Sequence, residues 1–288
     1  MQIENKTAKS NSWDWEIKPQ STWLGASLKE LYAYKDLLFR LVRKEFLVRY
    51  QQTLMGPLWL LIQPILTVFT YVVVFNKVIG LSTGGVPPVL FYLTGITLWS
   101  LFTDVFSGTS TTFTQNIAVF SKVYFPRIIT PLSTLLLHCL RFCIQLALLL
   151  LIMVYYYFKG GISIAPINFL AAVPVVVVVA GIALGAGLIF SVLTAKYRDL
   201  ANLIGLFISL LMFVSPVFYS LTIVPKDIQW FVQINPLTSQ FELFRYAFVG
   251  KGDFSAFQLF YSTVFMLFTL SVGLLLFNKK GDALMDVI

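Results

Sequence analysis

Charged residues are scarce in this sequence. Of its 288 residues only 12% are charged, whereas 58% are hydrophobic, and the mean hydropathy is +0.81. Water-soluble domains usually carry roughly 25% charged residues. The composition therefore excludes an ordinary water-soluble fold and predicts an all-α membrane protein.

Histidine and cysteine are also nearly absent. The single histidine, His138, excludes a histidine-based metal cluster, and Cys139 and Cys143 match neither a CxxC motif nor a zinc-binding spacing. The sequence lacks the GxxxxGK[ST] phosphate loop, so we do not expect the chain to hydrolyse ATP. A membrane glycosyltransferase needs an acidic site on a large aqueous loop, and the acidic residues here are too scattered to form one. We therefore expect no enzyme activity, no metal and no cofactor in this chain.

The N-terminal region lacks the apolar core and small-residue cleavage site of a removable signal peptide. Residues 1–30 are polar and are predicted to form a tail. Residues 31–54 place Asp36, Arg40, Arg43 and Lys44 at helical spacing, with leucine and valine on another face. This pattern predicts an amphipathic helix at the cytoplasmic membrane surface.

Residues 55–288 contain six long apolar runs. The hydrocarbon core of a bilayer is about 30 Å thick and a helix rises about 1.5 Å per residue, so a span needs about 20 apolar residues. The sequence therefore predicts a transmembrane domain of six helices. The predicted spans are about 56–75, 89–111, 129–157, 168–193, 201–219 and 258–277.

The net charge is +8, and the placement of the positive residues decides what this charge means. Nine of them lie before residue 55, and the others fall between apolar runs. This distribution is typical of cytoplasmic loops and not of a basic groove for nucleic acid. Both termini are then predicted to be cytoplasmic. The positive residues placed on that side by six spans are Lys122, Arg127, Lys196, Arg198, Lys279 and Lys280.

Residues 220–257 do not fit a simple loop, because they contain two aromatic-rich stretches that are too short and too charged to span a membrane. They are predicted to be short re-entrant helices in the outer leaflet. Irregular backbone is tolerated at that depth only where protein or a water-filled cavity covers it. We therefore expect this segment to shape an outer exit, with Trp230, Asn235, Pro236 and Glu242 around it.

Two charged residues lie inside predicted spans. A charge at the bilayer centre costs roughly 2.5 to 3.5 kcal/mol on the insertion scale, so Asp104 and Arg141 should not face lipid. The second and third spans form a hairpin that places them at similar depth, which predicts an intramembrane ion pair. His138, Arg141 and Gln145 share a helical face that should look into the bundle. The alternative, a proton relay, usually needs several deep acidic groups.

An ordered set of short motifs points to a known family. The segments LVRKEFLVRYQQTLMGPLWLLIQP, SKVYFPRIITP, AKYRDL, SPVFYS and INPLT follow one another from residue 41 to residue 238. From about Leu31 to its end the chain resembles the type-2 permeases of ABC transporters that export O-antigen, capsule and teichoic acid chains. The resemblance implies a homodimer in the bacterial inner membrane that moves a lipid-linked polysaccharide. A separate ATPase, present in two copies, would bind ATP and Mg²⁺.

The same resemblance implies two surfaces that touch the ATPase. One is the amphipathic helix with Arg40, Arg43 and Lys44, which could instead bind anionic lipid head groups. The other is the loop at about 115–127, where aromatic and charged residues would form a docking surface. The alternative is a basic loop that only sets the topology. The loop residues expected to contact the ATPase are Lys122, Tyr124, Phe125 and Arg127.

The resemblance also implies that the first and fifth spans line the channel. On the first span the face expected to do so carries Trp59, Gln63, Thr67 and Thr70, and on the fifth it carries Asn202, Ser209 and Phe213. Two rival readings stay open. One is a permease of the same architecture for a lipid or a drug, and the other is a proton-coupled carrier or channel.

Overall fold

A computed structural model describes residues 28–120, 125–160, 166–197 and 199–285. These residues form helices, turns and loops, with no β-strand among them. The predicted all-α membrane class is confirmed. The α-helices are α1 (Leu28–Ala33), α2 (Lys35–Tyr50), α3 (Trp59–Tyr71), α4 (Pro88–Ser110), α5 (Thr112–Phe120), α6 (Ile129–Phe158), α7 (Ala172–Lys196), α8 (Leu200–Val214), α9 (Lys226–Ile234), α10 (Pro236–Val249) and α11 (Ala256–Met285).

Within the described part of the chain, five helical segments are long and apolar enough to cross a membrane. They are Gly56–Val78, Pro88–Ser110, Ile129–Phe158, Asn168–Lys196 and Ala256–Lys280. The first of these contains α3 together with the 3-10 turn before it and the π-helical turn Val72–Val78 after it. The ends of these segments lie close to five of the six predicted spans.

Helix α8 is the exception to this agreement. It has 15 residues, which corresponds to about 22 Å, less than the hydrocarbon thickness of about 30 Å. The helix ends at Val214, because the following residues Ser215 and Pro216 turn the chain. The predicted fifth span, 201–219, is therefore a shorter apolar helix with a non-helical end, and the count of six stays a prediction.

The core of the bundle is formed by α4 and α7, which are buried along most of their length. Helix α11 packs closely on α7 at small residues. A Cβ atom added at Gly185 would lie 2.6 Å from the backbone of Thr269 and Leu270, and one at Gly181 would lie 2.6 Å from Met266. Gly181 and Gly185 therefore allow the close packing of α7 against α11.

Helix α2 lies within the predicted 31–54 segment and packs against α6. None of its residues is fully buried, and its outer side combines basic residues with the exposed apolar residues Phe39, Leu47 and Val48. A mixed surface of this kind suits either a lipid head-group layer or another protein. Most of the predicted polar tail, 1–30, lies outside the described residues.

Two short helices, α9 and α10, occupy the segment predicted to be re-entrant, 220–257. Asn235 caps α10, since its Oδ1 accepts a hydrogen bond from the Leu237 N–H at 3.0 Å. Its Nδ2 donates to Ser215 Oγ at 2.8 Å. This amide therefore ties the start of α10 to the turn that ends α8.

Candidate functional site

Helices α4 and α6 bring two charged side chains together inside the bundle. Arg141 Nη1 lies 2.8 Å from Asp104 Oδ2, and His138 Nδ1 lies 3.6 Å from the same oxygen. Arg141 lies near the middle of α6, and Asp104 lies six residues before the last residue of α4. The structure thus brings together the two residues that the sequence pairs, and it adds His138 to the group.

A cleft of about 250 Å³ opens beside this ion pair. Its walls come from four helices: α3, α4, α6 and α8. The lining residues include Gln63, Thr67 and Tyr71 on α3, Trp99, Ser100 and Asp104 on α4, Arg141 and Gln145 on α6, and Met212 on α8. The cleft therefore places amide, hydroxyl, aromatic and charged groups at mid-depth in an otherwise apolar bundle.

Several polar groups in the cleft have unused hydrogen-bonding capacity. Gln145 is only 5% exposed and lines the cleft. Arg141 Nε and His138 Nδ1 are buried and have no hydrogen-bond partner in the described structure. Leaving buried polar groups unpaired is costly, and such groups in a membrane span mark a functional region. The cleft is therefore the candidate site of this chain.

The predicted channel-lining residues separate into two groups. Gln63 and Thr67 line the cleft, whereas the others do not. Trp59, Thr70, Asn202, Ser209 and Phe213 are exposed on the outer sides of α3 and α8. The hydroxyls of Thr67 and Ser209 donate to backbone carbonyls of their own helices. Helix α8 contributes Met212 to the cleft instead of the predicted polar residues.

The predicted ATPase-contact residues also differ in their placement. On α2, Arg40, Arg43 and Lys44 are exposed. Phe125 does not face outward, because it is only 6% exposed and its ring centroid lies 5.8 Å from that of Phe120. Arg127 is half-buried. Lys122 and Tyr124 lie outside the described residues.

At the predicted outer exit, Trp230 is exposed and Pro236 is half-buried, whereas Asn235 and Glu242 are buried. Glu242 is enclosed by a second ion pair, with Arg245 Nη1 2.7 Å from its Oε1. Arg245 is not among the site residues predicted from the sequence. An acidic and a basic residue three positions apart on one helix often pair, and this spacing was the available signal.

Arg245 also connects α10 to its neighbours. Its Nη2 donates to the Pro216 carbonyl at 2.6 Å, and its guanidinium carbon lies 4.0 Å from the centroid of the Phe91 ring. Glu242 Oε2 accepts a hydrogen bond from the Asp253 N–H at 3.1 Å. The pair therefore anchors α10 to α4 and to the turn that follows α8. Among the described residues, no group of three His, Cys, Asp or Glu side chains is placed to hold a metal ion.

Sequence comparisons connect this architecture to known transporters. An O-antigen export system permease protein RfbA from Klebsiella pneumoniae is 28% identical over 246 residues, covering 85% of this chain and 92% of that protein. A second RfbA, from Myxococcus xanthus, is 26% identical over 215 residues, covering 74% and 80%. The polysialic acid transport protein KpsM of Escherichia coli is 23% identical over 243 residues, covering 84% and 92%. Residues 36–249 match the ABC-2 type transporter family. The chain therefore belongs to the ABC-2 type transporter family.

Proposed function

We propose that this chain is the membrane subunit of an ATP-driven exporter for a lipid-linked polysaccharide. The observation that carries this proposal is its similarity, over most of its length, to permeases named for O-antigen export and polysialic acid transport. The polar cleft at mid-depth supports it, because a hydrophilic cargo needs polar contacts inside the bilayer. In this proposal the energy comes from a separate ATPase, present in two copies, which holds the ATP and Mg²⁺.

The proposed complex contains two copies of this chain in the bacterial inner membrane, with both termini in the cytoplasm. Two copies are expected to enclose the path between their α3 and α8 helices. The exposed faces of these helices, with Trp59 and Thr70 on α3 and Ser209 and Phe213 on α8, would then look into the path or toward the second copy. This arrangement accounts for the exposure of apolar and polar residues together on α8.

The transport test uses this chain and its co-purifying ATPase in proteoliposomes. The lipid-linked glycan is supplied outside, on the side where the ATPase faces, and its arrival in the lumen is measured. We expect arrival only with ATP and an active ATPase. The matched control is an ATPase whose phosphate-loop lysine is replaced. Transport driven by a proton gradient without ATP would overturn the proposal, as would equal transport of a lipid that carries no glycan.

The ATPase contact has its own test on α2. Reversing the charge of Arg40 and Arg43 together to glutamate should reduce co-purification of the ATPase, because both side chains are exposed on the proposed docking side. Lys226→Glu is the control, since Lys226 is an exposed cation on α9, at the proposed outer side. Basic residues near a bilayer each gain about 1 kcal/mol from anionic lipids. Unchanged co-purification together with weaker vesicle binding would assign α2 to lipid contact instead.

A further inference from the structure

We propose that the cleft between α3, α4, α6 and α8 binds a single sugar ring of the glycan at the middle of the membrane. This inference rests on the proposed function, because it names the part of the cargo that the cleft recognises. The family match and the proposed path do not assign any such subsite.

The size of the cleft favours a small cargo unit. Its volume is about 250 Å³, slightly below the roughly 300 to 1,000 Å³ of sites for whole small molecules. Such a space suits one ring of a chain and is too small for an oligosaccharide or for the long tail of a carrier lipid. The remainder of a glycan would extend along the larger path outside the cleft.

The polar groups that line the cleft include donors and acceptors from different helices. The Gln145 amide offers both an acceptor and two donors. Trp99, which is 7% exposed, adds an indole N–H donor. Arg141 Nε has no hydrogen-bond partner in the described structure. A ligand with several hydroxyl groups, each of them both donor and acceptor, can satisfy this mixture.

The charge of the cleft distinguishes a sugar from a phosphate. Asp104 and Arg141 neutralise each other across 2.8 Å, so the site carries no excess positive charge for an anion. A diphosphate would have to displace Asp104 from Arg141 and leave a carboxylate beside it. A hydroxyl group can instead donate to Asp104, which is 29% exposed, without breaking the pair. Hydrogen bonds to charged groups are stronger than those between neutral groups.

Two aromatic side chains complete the site. Tyr71 on α3 and Trp99 on α4 both line the cleft. Aromatic faces carry partial negative charge and pack well against the C–H groups on one face of a sugar ring. The combination of rings, amides and a carboxylate therefore fits a pyranose better than it fits a lipid tail or a phosphate group.

The test measures the protection of a cysteine placed in the cleft. Cys139 and Cys143 are first replaced by alanine, and Ser100→Cys provides the reporter, because Ser100 lines the cleft. The purified complex with its ATPase is kept free of ATP, and the rate of alkylation by N-ethylmaleimide is measured. The probes are the lipid-linked glycan and the same polyprenyl diphosphate without sugar. Ser82→Cys, an exposed serine in the outer loop, is the matched control.

We expect the glycan-bearing lipid to slow alkylation of Ser100→Cys roughly tenfold at ten times its dissociation constant. The sugar-free lipid should leave the rate unchanged, and Ser82→Cys should respond to neither probe. Equal protection by both lipids would overturn the inference in favour of the lipid diphosphate. Absence of protection by a glycan that still stimulates ATP hydrolysis would also overturn it. A glycan that neither protects nor stimulates hydrolysis would show that the proposed function itself has failed, and the inference with it.

A second variant separates recognition from folding. Gln145→Leu removes the amide and keeps a similar volume, so we expect an unchanged or higher melting temperature together with loss of glycan protection at Ser100→Cys. A merely structural role for Gln145 predicts the opposite pattern, a lower melting temperature with protection retained. That pattern would count against the sugar subsite.

Discussion

Two ion pairs between described side chains have the same short geometry and very different surroundings. Arg141 lies 2.8 Å from Asp104, and Arg245 lies 2.7 Å from Glu242. The first pair lines a cleft, with side chains 13% and 29% exposed, whereas the second is sealed at 3% and 2%. The two pairs differ in whether a ligand can reach their charged side chains.

Most polar atoms of the sealed pair have partners, although Arg245 Nε, like Arg141 Nε, has none in the described structure. Arg245 uses both terminal nitrogens, one on Glu242 and one on the Pro216 carbonyl, and Phe91 covers the face of its guanidinium group. The second oxygen of Glu242 accepts the Asp253 N–H. A buried pair satisfied in this way holds helices together and leaves little for a ligand.

The pair in the cleft keeps most of its hydrogen-bonding capacity. Arg141 contacts Asp104 through Nη1, while its Nε has no partner in the described structure. His138 Nδ1, 3.6 Å from Asp104, is also unpaired there. The comparison teaches that a charged pair inside a bundle is structural where protein encloses it and available to a cargo where a cleft opens beside it.

The largest effect on stability is expected at the sealed pair. Arg245→Met leaves Glu242 as an uncompensated buried charge, and breaking such a pair usually costs about 3 to 5 kcal/mol. We expect little folded protein in detergent extracts, measured by size-exclusion profile and melting temperature. Replacing both partners, as Glu242→Gln with Arg245→Met, should recover part of the loss. If Arg245→Met were as stable as the parent protein, the structural role assigned to the sealed pair would be wrong.

A smaller loss of stability is expected at the cleft pair. Asp104→Asn removes one charge, but water in the cleft can then hydrogen-bond to Arg141. We therefore expect the free energy of unfolding to fall by about 1 to 2 kcal/mol. The export rate should fall further than this loss of folding stability explains, because the cleft loses its carboxylate. The swapped variant, Asp104→Arg with Arg141→Asp, should regain expression lost by either single reversal. No rescue would argue against a direct pair.

The cap of α10 offers a test of the sealed region that spares its charges. Asn235→Ala removes the bond to the Leu237 N–H and the bond to Ser215, at a cost of about 1 kcal/mol for a helix cap. The melting temperature should fall by a few degrees. Alkylation of Ser100→Cys in the cleft should keep its rate, and a changed rate would show that the two regions are coupled.

The smallest effect on stability is expected at Thr67, which is half-buried and lines the cleft. Thr67→Leu narrows the cleft without breaking a contact between helices, so the free energy of unfolding should change by no more than about 0.5 kcal/mol. Export should nevertheless be blocked. Ser209→Leu, on the exposed side of α8, tests the other half of the proposed path. Normal export by both variants would refute the lining assigned to α3 and α8.

Much of the fold was predictable from the sequence, because apolar length alone marks a membrane helix. The predicted spans 89–111 and 129–157 correspond to Pro88–Ser110 and Ile129–Phe158. The Asp104 and Arg141 pairing was also foreseeable, since a hairpin fixes the relative depth of its two helices. Helix α8 was predicted too long, because its apolar run continues through Ser215 and Pro216, where the backbone turns away from the helix.

The candidate site was only partly predictable. Helical spacing places Trp59, Gln63, Thr67 and Thr70 on one face of α3. The spacing alone does not determine which of them lies against another helix. The burial of Phe125 against Phe120 was not predictable either, because a short aromatic loop carries no sign of whether it packs inward or outward.

The sequence by itself determined the membrane class, most helix ends and the similar depth of Asp104 and Arg141, since these depend on local composition and on distance along the helix. Only the tertiary structure decided what surrounds each ion pair. Four helices line the cleft beside Asp104 and Arg141, whereas Phe91 of α4 and the Pro216 carbonyl after α8 enclose Arg245 and its partner Glu242. Whether a charged pair is enclosed or opens to a cleft depends on neighbours from other helices, so the two pairs differ although their residues look alike in the sequence.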